Sequence, residues 1–232
     1  MNHMEVQQAL RENENPERAE RSQKFFKTGP GEYGEGDRFL GIPMPQIRAI
    51  AKNYDELSLP ETEKLLQSKW HEERLCALVI MVQQTQKADD QSRKELFNLY
   101  KRNTKYVNNW DLVDSSAHNI AGRYLVDHNR AILYSWAKSN NLWERRIAII
   151  STLYFIRQEE YKDTLALAKI LLRDNHHLIH KAVGWMLREV GNRDRIREEN
   201  FLEQHATEMP RTMLRYAIEK FPEDKRQHYL AL

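Results

Sequence analysis

The sequence has little of the residues that interrupt helices or cross-link chains. Its 232 residues include 8 glycines, 7 prolines and a single cysteine, Cys76. Scarce glycine and proline favour helix throughout, and no segment alternates apolar and polar residues as a strand would. One cysteine inside an apolar run excludes a disulfide framework and a cysteine-ligated zinc site, and it fits a reducing compartment.

Long apolar runs and a charge of one sign are also missing. No stretch of 18 consecutive apolar residues is present, so we expect no membrane span. The N-terminus lacks the apolar stretch of a signal peptide, which predicts a cytoplasmic protein. The formal net charge is only +2, so any basic surface has to come from the placement of charges.

Apolar periodicity and polar breaks predict helices along the whole chain. They fall near 3–12, 15–27, 45–55, 59–67 and 71–84, followed by pairs near 91–103 with 111–126, 129–139 with 143–156, 160–173 with 178–191, and 194–206 with 209–220. The tail at 221–225 ends the last strong helix. No linker divides the chain, so we expect one domain spanning 1–232.

The segment 28–38 is rich in glycine, and 29–34 matches the pattern G-x-G-x-x-G. A dinucleotide-binding loop should follow a strand, whereas this segment follows a predicted helix and contains acidic residues. We therefore interpret it as a connector in which glycine allows the chain to approach another part of the backbone closely.

Several segments resemble one another, and each places one charged residue at an equivalent position. These positions are Arg74, Asp114, Arg146, Lys181 and Arg215, which lie 40, 32, 35 and 34 residues apart. A period in this range indicates stacked helix pairs with equivalent positions on one face. That face would carry a line of cations with one carboxylate among them, an arrangement that suits a polyanion and chemistry on a cationic centre.

The carboxylate of Asp114 has two interpretations. Trp110 lies four residues earlier and His118 four residues later, so the three side chains project together from one helix. Asp114 either forms a salt bridge to Arg146 or Lys181 with no further role, or acts on a substrate. Small residues at 115–117 and 121–122 would keep the surface around it open to close approach.

Trp185 is the second aromatic residue that stands among cations. It shares a helix stripe with Lys181 and Arg188, opposite the apolar face of that helix. It either packs against a neighbouring helix or offers a stacking surface beside phosphate-binding cations. The nearby cluster of His176, His177 and His180 has no evident carboxylate partner, so we expect a solvated helix start and no metal.

Four segments together resemble the AlkD-type bacterial DNA alkylation-repair glycosylases. They are WDLVD at 110–114, LWERR at 142–146, KAVGWMLRE at 181–189, and FLGI at 39–42 followed by PQIR at 45–48. The resemblance runs in order from about residue 15 to 220. It implies a superhelical α-solenoid of HEAT-like helix-pair repeats with a concave basic face for duplex DNA.

The resemblance also implies an activity: monofunctional excision of purines that carry a positive charge from N3 or N7 alkylation. It implies double-stranded DNA with alkylated bases as the substrate, no metal or cofactor, and no deep pocket for a flipped base. We expect a monomer that associates with the nucleoid when bound to DNA. Two alternatives stay open: a non-catalytic HEAT-repeat protein that binds DNA structures, and a protein-binding α-solenoid.

Site residues follow from the same resemblance. The catalytic aspartate falls on Asp114, the two tryptophans that contact the lesion nucleotide fall on Trp110 and Trp185, and a DNA-contacting arginine falls on Arg146. The further DNA-binding candidates are Lys181, Arg145, Arg74, Arg48, Arg188, Arg215 and Phe25. Phe25 stands where the family pattern has tyrosine and the 28–38 loop is longer, two departures that bear both on the lesion preference and on the activity.

Overall fold

The computed structural model describes all 232 residues and contains no strand. The only extended pairing is an isolated parallel bridge between Arg38 and Trp70, so the predicted all-α class is confirmed. The chain divides into two compact units, which we call the N-terminal unit (Met1–Tyr124) and the C-terminal unit (Leu125–Leu232). A single domain, a superhelical path and a concave basic face stay predictions.

The helices of the N-terminal unit follow the predicted ranges closely. They are α1 (His3–Arg11), α2 (Pro16–Phe25), α3 (Met44–Lys52), α4 (Leu59–Leu66), α5 (His71–Lys87), α6 (Asp90–Arg102) and α7 (Trp110–Ala117). After α7 the helix continues through a π-helical segment, His118–Gly122, into α8 (Arg123–Leu125). Single π-helical turns inside α-helices often occur at functional sites.

The C-terminal unit contains one more helix than the sequence predicted. Its helices are α9 (Ala131–Trp136), α10 (Leu142–Arg157), α11 (Lys162–Leu171), α12 (His177–Gly191), α13 (Arg195–His205), α14 (Arg211–Ala217) and α15 (Glu223–Ala231). We expected the last helix to end near residue 220, and this was wrong, because α15 follows. Pro222 precedes a first turn with two acidic residues, a favourable helix start, and Tyr229 of α15 is buried against Phe221.

Polar residues just before five of the helices cap their first turns. The side chains of Asn15, Asp89, Asn109, Asn141 and Asp194 each accept a backbone N–H from the first turn of the helix that follows. Each cap satisfies a donor that has no partner within the helix. The polar clusters therefore fix where helices begin.

One long helix is buried on all sides in each unit. In the N-terminal unit α5 packs against α1, α3, α4, α6 and α7. In the C-terminal unit α10 packs against α9, α11 and α12, and α12 in turn contacts α11, α13 and α14. The predicted pairs α9–α10 and α11–α12 are confirmed, whereas α13 and α14 both pack mainly on α12.

The repeat alignment is confirmed at the level of helix position. Asp114, Arg146, Lys181 and Arg215 are each the fifth residue of their helix, and Arg74 is the fourth residue of α5. Their environments differ, because Arg74 and Arg146 are buried, Asp114 and Lys181 are partly exposed, and Arg215 is exposed. The period therefore predicts where each residue lies in its helix, but not whether solvent reaches it.

The glycine-rich connector and the residues just after it approach other backbone segments closely. Gly41 has φ +82°, and a Cβ atom there would lie 2.1 Å from the carbonyl oxygen of Asn15, at the start of α2. A Cβ on Gly34 would lie 2.4 Å from the carbonyl oxygen of Phe26. Gly31 also has a positive φ, +76°, but has open space around it.

We expect Gly41→Ala to lower the free energy of unfolding by about 3 kcal/mol or more, because it adds a clash with rigid backbone to an unfavourable φ. The matched change Gly31→Ala meets only the unfavourable φ and should cost about 1 to 2 kcal/mol. Urea denaturation of both variants measures the difference. Equal losses would show that the approach of Gly41 to α2 does not constrain the fold.

Candidate functional site

His71, the first residue of α5, lies between two carboxylates in the N-terminal unit. Its Nδ1 is 2.8 Å from Asp37 Oδ2, and its Nε2 is 2.8 Å from Asp111 Oδ2. Burial alone would lower the pKa of His71, but the charges and hydrogen bonds of Asp111 and Asp37 outweigh it and raise that pKa to about 9. Both ring nitrogens therefore donate, and the imidazolium joins the 28–38 connector to the start of α7.

Arg74 belongs to the same buried network. Its Nη2 donates to Asp37 Oδ1 at 2.7 Å and its Nη1 to the Ser68 carbonyl at 3.1 Å, and the side chain is only 4% exposed. Phosphate contact would require this guanidinium to leave a buried carboxylate, which is costly. Arg74 is therefore a structural partner of Asp37, and this pairing weighs against the DNA contact predicted for it.

Aromatic rings form a continuous cluster above His71. Phe26 stacks on Trp110 with ring centroids 5.2 Å apart and on Phe39 at 5.0 Å, and Phe39 stacks on the His71 ring at 4.4 Å. Phe25 contacts Trp110 edge to face at 5.9 Å. Because Phe25 is 64% exposed, it presents an aromatic surface to solvent at the edge of this cluster.

A cavity of about 520 Å³ lies beside the cluster. Its aromatic walls come from Phe25, Phe26, Phe39 and Trp110, and its apolar floor from Ile42, Met44, Ile47 and Leu75. Arg18 and Arg21 of α2 also line it. The cavity therefore combines aromatic, apolar and cationic surface within the N-terminal unit.

Asp114 lies on α7, one helical turn after Trp110, as the spacing predicted. Both side chains are partly exposed, whereas Ser116 and Ala117 are buried in the unit. The idea that small residues open the surface near Asp114 was wrong at these two positions and at Ala121 and Gly122, since all four are packed inside. Their small size serves helix packing.

The charge of Asp114 affects the pKa of Tyr100, a residue of α6. Its hydroxyl is 3.1 Å from Ser116 Oγ. Burial raises the pKa of Tyr100 well above its usual range, and the negative charge of Asp114 raises it further. The Asp114 carboxylate therefore lies close enough to the buried core of the unit to act on it electrostatically, while its surface stays partly accessible.

Arg146 of α10 is 5% exposed and donates from Nη1 to the carbonyl oxygen of Leu178 in α12. The sequence indicated Arg146 as one possible salt-bridge partner of Asp114. The structure adds a backbone carbonyl that the pattern could not show. This bond ties the first turn of α12 to α10, so Arg146 contributes to the packing of the C-terminal unit.

Two further candidates form ion pairs within the C-terminal unit. Arg145 Nε lies 2.6 Å from Asp174 Oδ2, and its Nη1 donates to the carbonyl oxygens of Ser139 and Asn140. Arg188 is paired with Glu219. Arg145 is thus held in a structural network, and DNA contact by Arg188 would compete with a carboxylate.

The remaining cationic candidates are more accessible. Arg48 and Arg215 are exposed, and Lys181 Nζ lies 6.0 Å from the ring centroid of Tyr216. Trp185 lies opposite the buried face of α12, as predicted, and its Nε1 donates to Glu189 Oε1 at 3.3 Å. Lys181 and Trp185 thus share the accessible side of one helix.

The histidine cluster surrounds the start of α12. His176 Nδ1 accepts the backbone N–H of Leu178 at 3.2 Å, the His176 and His177 rings stack at 4.8 Å, and His180 Nε2 contacts the Asp174 carbonyl. Burial and neighbouring cations lower the pKa of His176 and of His177. These contacts account for the cluster as a helix start.

The chain belongs to the DNA alkylation repair enzyme family, whose sequence profile matches residues 6–221. The fold is similar to that of a solved structure described as a predicted DNA alkylation repair enzyme from Enterococcus faecalis. That similarity has a TM-score of 0.72 at 19% identity, over 91% of this chain and 98% of the other. No curated protein matches the chain.

No helix is long and apolar enough to cross a membrane.

The His71 network predicts a loss of stability at alkaline pH. The folded-state pKa of about 9 lies above the ordinary 6.5, so the stabilisation is complete below pH 6.5 and is lost as pH rises through 9. We expect the free energy of unfolding to fall between pH 7 and 10 by on the order of 3 kcal/mol. Urea denaturation across this range measures the fall.

Two variants identify the source of that fall. His71→Gln removes the titrating ring and should flatten the pH dependence, at the cost of lower stability at pH 7. The control His228→Gln changes an exposed histidine and should retain the wild-type profile. An unchanged profile in His71→Gln would mean that another group titrates.

Proposed function

We propose that the protein is a monofunctional DNA glycosylase that removes N3- or N7-alkylated purines from duplex DNA. The observation that carries the proposal is the placement of Asp114, a partly exposed carboxylate one helical turn after Trp110. The start of that helix is fixed by the Asn109 cap and by the bond from His71 to Asp111. Membership of the DNA alkylation repair enzyme family supports a DNA substrate.

The chemistry of an alkylated purine suits a site with one fixed carboxylate. Alkylation at N3 or N7 makes the base a cation, so it leaves as a neutral molecule when the bond to C1′ breaks and takes the bonding electrons. Positive charge then develops on the sugar, as in glycoside hydrolysis. Asp114 stabilises that charge and orients the water that adds to C1′, and the face of Trp110 stabilises it further.

Strand cleavage through a Schiff base requires a lysine beside the sugar. Neither α7 nor the cavity beside Trp110 contains a lysine. This supports excision by water alone, which leaves an abasic site. Selectivity follows in part from the substrate, because an unmodified purine is a poor leaving group and reacts slowly at the same site.

Duplex binding rests on a smaller set of cations than the sequence predicted. Lys181, Arg215 and Arg48 are accessible to phosphates, and Trp185 lies on the same side of α12 as Lys181. Arg146 and Arg145 are anchored within the C-terminal unit, so their part is to hold α10 and α12 and to contribute positive potential. Arg74 is excluded from this set.

Replacing Asp114 tests the catalytic assignment. Asp114→Asn keeps the shape of the side chain but removes the charge that stabilises the sugar, so we expect excision to fall by roughly 10²-fold or more. Duplex affinity should stay the same or rise, because a repulsive charge near the phosphates is lost. Single-turnover release of 7-methylguanine or 3-methyladenine from methylated duplex, beside equilibrium binding, measures both quantities.

The matched control is Asp127→Asn, which removes an exposed carboxylate two residues beyond the end of α8. It should excise and bind like the wild type. A parallel loss of affinity and excision in Asp114→Asn would identify Asp114 as a structural ion-pair partner. If the wild type is folded and binds DNA but releases no base, the protein binds DNA without glycosylase activity, and the proposal is wrong.

Replacing Lys181 tests the binding surface. Lys181→Ala should weaken binding to every duplex sequence alike and reduce the slope of log K against log salt by roughly one, as expected for one lost phosphate contact. Lys162→Ala is the control, because Lys162 is exposed at the start of α11. Equal slopes for both variants and the wild type would show that Lys181 does not face the DNA.

A further inference from the structure

A groove between α11 and α13 in the C-terminal unit contains a cavity of about 320 Å³, a volume in the range of small-ligand sites. None of its lining residues belongs to α10, α12 or α14, the helices that carry Arg146, Lys181 and Arg215. The lining residues are Leu165, Ala166, Lys169, Arg197, Asn200, Phe201, Gln204 and His205. We propose that this groove binds a phosphomonoester, a small ligand with a terminal phosphate group, at a site separate from the proposed DNA-binding cations. The proposal does not depend on the glycosylase function.

The charge of the groove is of one sign. Lys169 and Arg197 line the cavity, and no aspartate or glutamate does. Lys169 is exposed and forms no ion pair, in contrast to Arg145, which is held by Asp174 in the same unit. A groove lined by charges of one sign concentrates ions of the opposite sign. The cavity therefore favours an anionic ligand.

Hydrogen-bond donors line the α13 side of the groove. Arg197, Asn200 and Gln204 are separated by three and four residues, so their side chains project from one face of the helix. The side chains of Asn200 and Gln204 are exposed and make no hydrogen bond within the protein. Each carboxamide has two N–H donors, and the ammonium group of Lys169 on α11 has three more. A terminal phosphate has three strong acceptor oxygens, so donors from both helices can bind it at once.

Arg197 is held in place with its outer nitrogens available. Its Nε donates to Asp194 Oδ2 at 2.9 Å, and its guanidinium carbon lies 5.6 Å from the ring centroid of Tyr161. Neither Nη nitrogen makes a hydrogen bond within the protein. Asp194 offsets only part of the charge, because both side chains of this pair are partly exposed to water. An arginine held in this way loses less freedom when its two Nη groups bind a phosphate.

His205 supplies a neutral donor at one end of the α13 stripe. Its Nδ1 is buried and has no hydrogen-bond partner, so a proton on that nitrogen would be a buried N–H without an acceptor, which is costly. The proton therefore resides on Nε2, and this nitrogen is the donor that the ring offers to a ligand. The ring lies 4.8 Å from that of Phe201. Phe201, Leu165 and Ala166 give the groove an apolar part, which suits the organic portion of the ligand.

Two features favour a phosphomonoester over the backbone of a duplex. A phosphomonoester carries a charge of about −1.5 to −2 at pH 7, so Lys169 and Arg197 attract it more strongly than a backbone phosphate with a single charge. Glu199 and Glu203 lie beside the donor stripe on α13, and Glu203 is exposed. A duplex carries one negative charge per about 1.7 Å of its axis, so its backbone would extend past the groove and be repelled by these acids.

Binding of phenyl phosphate tests the site directly, because this probe combines a dianionic phosphate with a small ring. The side-chain amide resonances of Asn200 and Gln204, assigned with Asn200→Ser and Gln204→Ser, report on the groove. We expect a saturable shift of both resonances. The singly charged diester methyl phenyl phosphate should bind more weakly by roughly threefold or more. Absence of a saturable shift, or equal affinity for the diester, overturns the proposal.

Two pairs of variants locate the probe, with the Asn200 resonance as the readout. Gln204→Glu keeps the shape of an exposed side chain but places a carboxylate in the groove, and it should weaken binding by roughly tenfold or more. Its control, Gln86→Glu, makes the same change in net charge at an exposed position of α5 in the other unit and should bind normally. Lys169→Ala should weaken binding by roughly threefold or more, whereas Lys162→Ala, at the start of the same helix, should not. Equal losses within either pair would mean that the probe responds to net charge and not to the groove.

An unmodified DNA duplex distinguishes this site from the DNA-binding surface. At a duplex concentration that saturates the protein, we expect the amide resonances of Asn200 and Gln204 to stay in place. Phenyl phosphate should then bind the complex with an affinity within about twofold of that for the free protein, because separate sites do not compete. If the duplex shifts both resonances and displaces phenyl phosphate, the groove is part of the DNA-binding surface, and the proposal of a separate site is wrong.

Discussion

The first turn of α5 is the constraint on which the N-terminal unit depends. Four successive charged residues, His71, Glu72, Glu73 and Arg74, are at most 4% exposed, and burial of charge is tolerated only when each group is paired. Glu73 accepts hydrogen bonds from Gln7, Arg11 and Ser68, and the other three residues bind different segments. The positive end of the helix dipole further stabilises the two glutamates. One turn of helix thereby fixes the positions of four separate parts of the chain.

Two of these sets of hydrogen bonds, those of Glu72 and of His71, determine where the candidate site lies. Glu72 holds the backbone at 40–42, and Gly41 packs directly against the start of α2, so α2 carries Phe25 and Phe26 to one side of the cavity. His71 holds Asp111, so α7 carries Trp110 to the other side. The aromatic walls and the helix of Asp114 therefore share a common support. Removing one buried charge would be expected to disturb both sides, because its partners lose their compensation together.

The sequence predicted the helices well and the site in part. Most helix ranges and the equivalent positions of Asp114, Arg146, Lys181 and Arg215 follow from local periodicity, which a single sequence contains. The partners of His71 do not, because Asp37 and Asp111 lie 34 and 40 residues away and no local pattern links them. Arg74 was predicted to bind DNA because the repeat aligns it with cations at equivalent positions. Its actual partner, Asp37, lies in the 28–38 connector, and no local pattern links the two residues. The residues that line the cavity also come from distant parts of the chain, so no local pattern predicts it. The function of Asp114 and Trp185 stays a prediction.

Residues at equivalent repeat positions have different roles because the helices that surround them differ. At the fifth residue of α10 the arginine bonds a carbonyl of the next helix, whereas at the fifth residue of α14 it faces solvent. Positive charge at this position therefore contributes to helix packing in one case and is available to a phosphate in the other. Asp114 lies in a helix whose start is fixed by the Asn109 cap and by the bond from His71 to Asp111. Because the net charge is only +2, affinity for a polyanion must come from the placement of accessible cations on one surface. A carboxylate on a surface that contacts DNA lowers that affinity, and stabilising a cation that forms during a reaction is the benefit that can offset the loss.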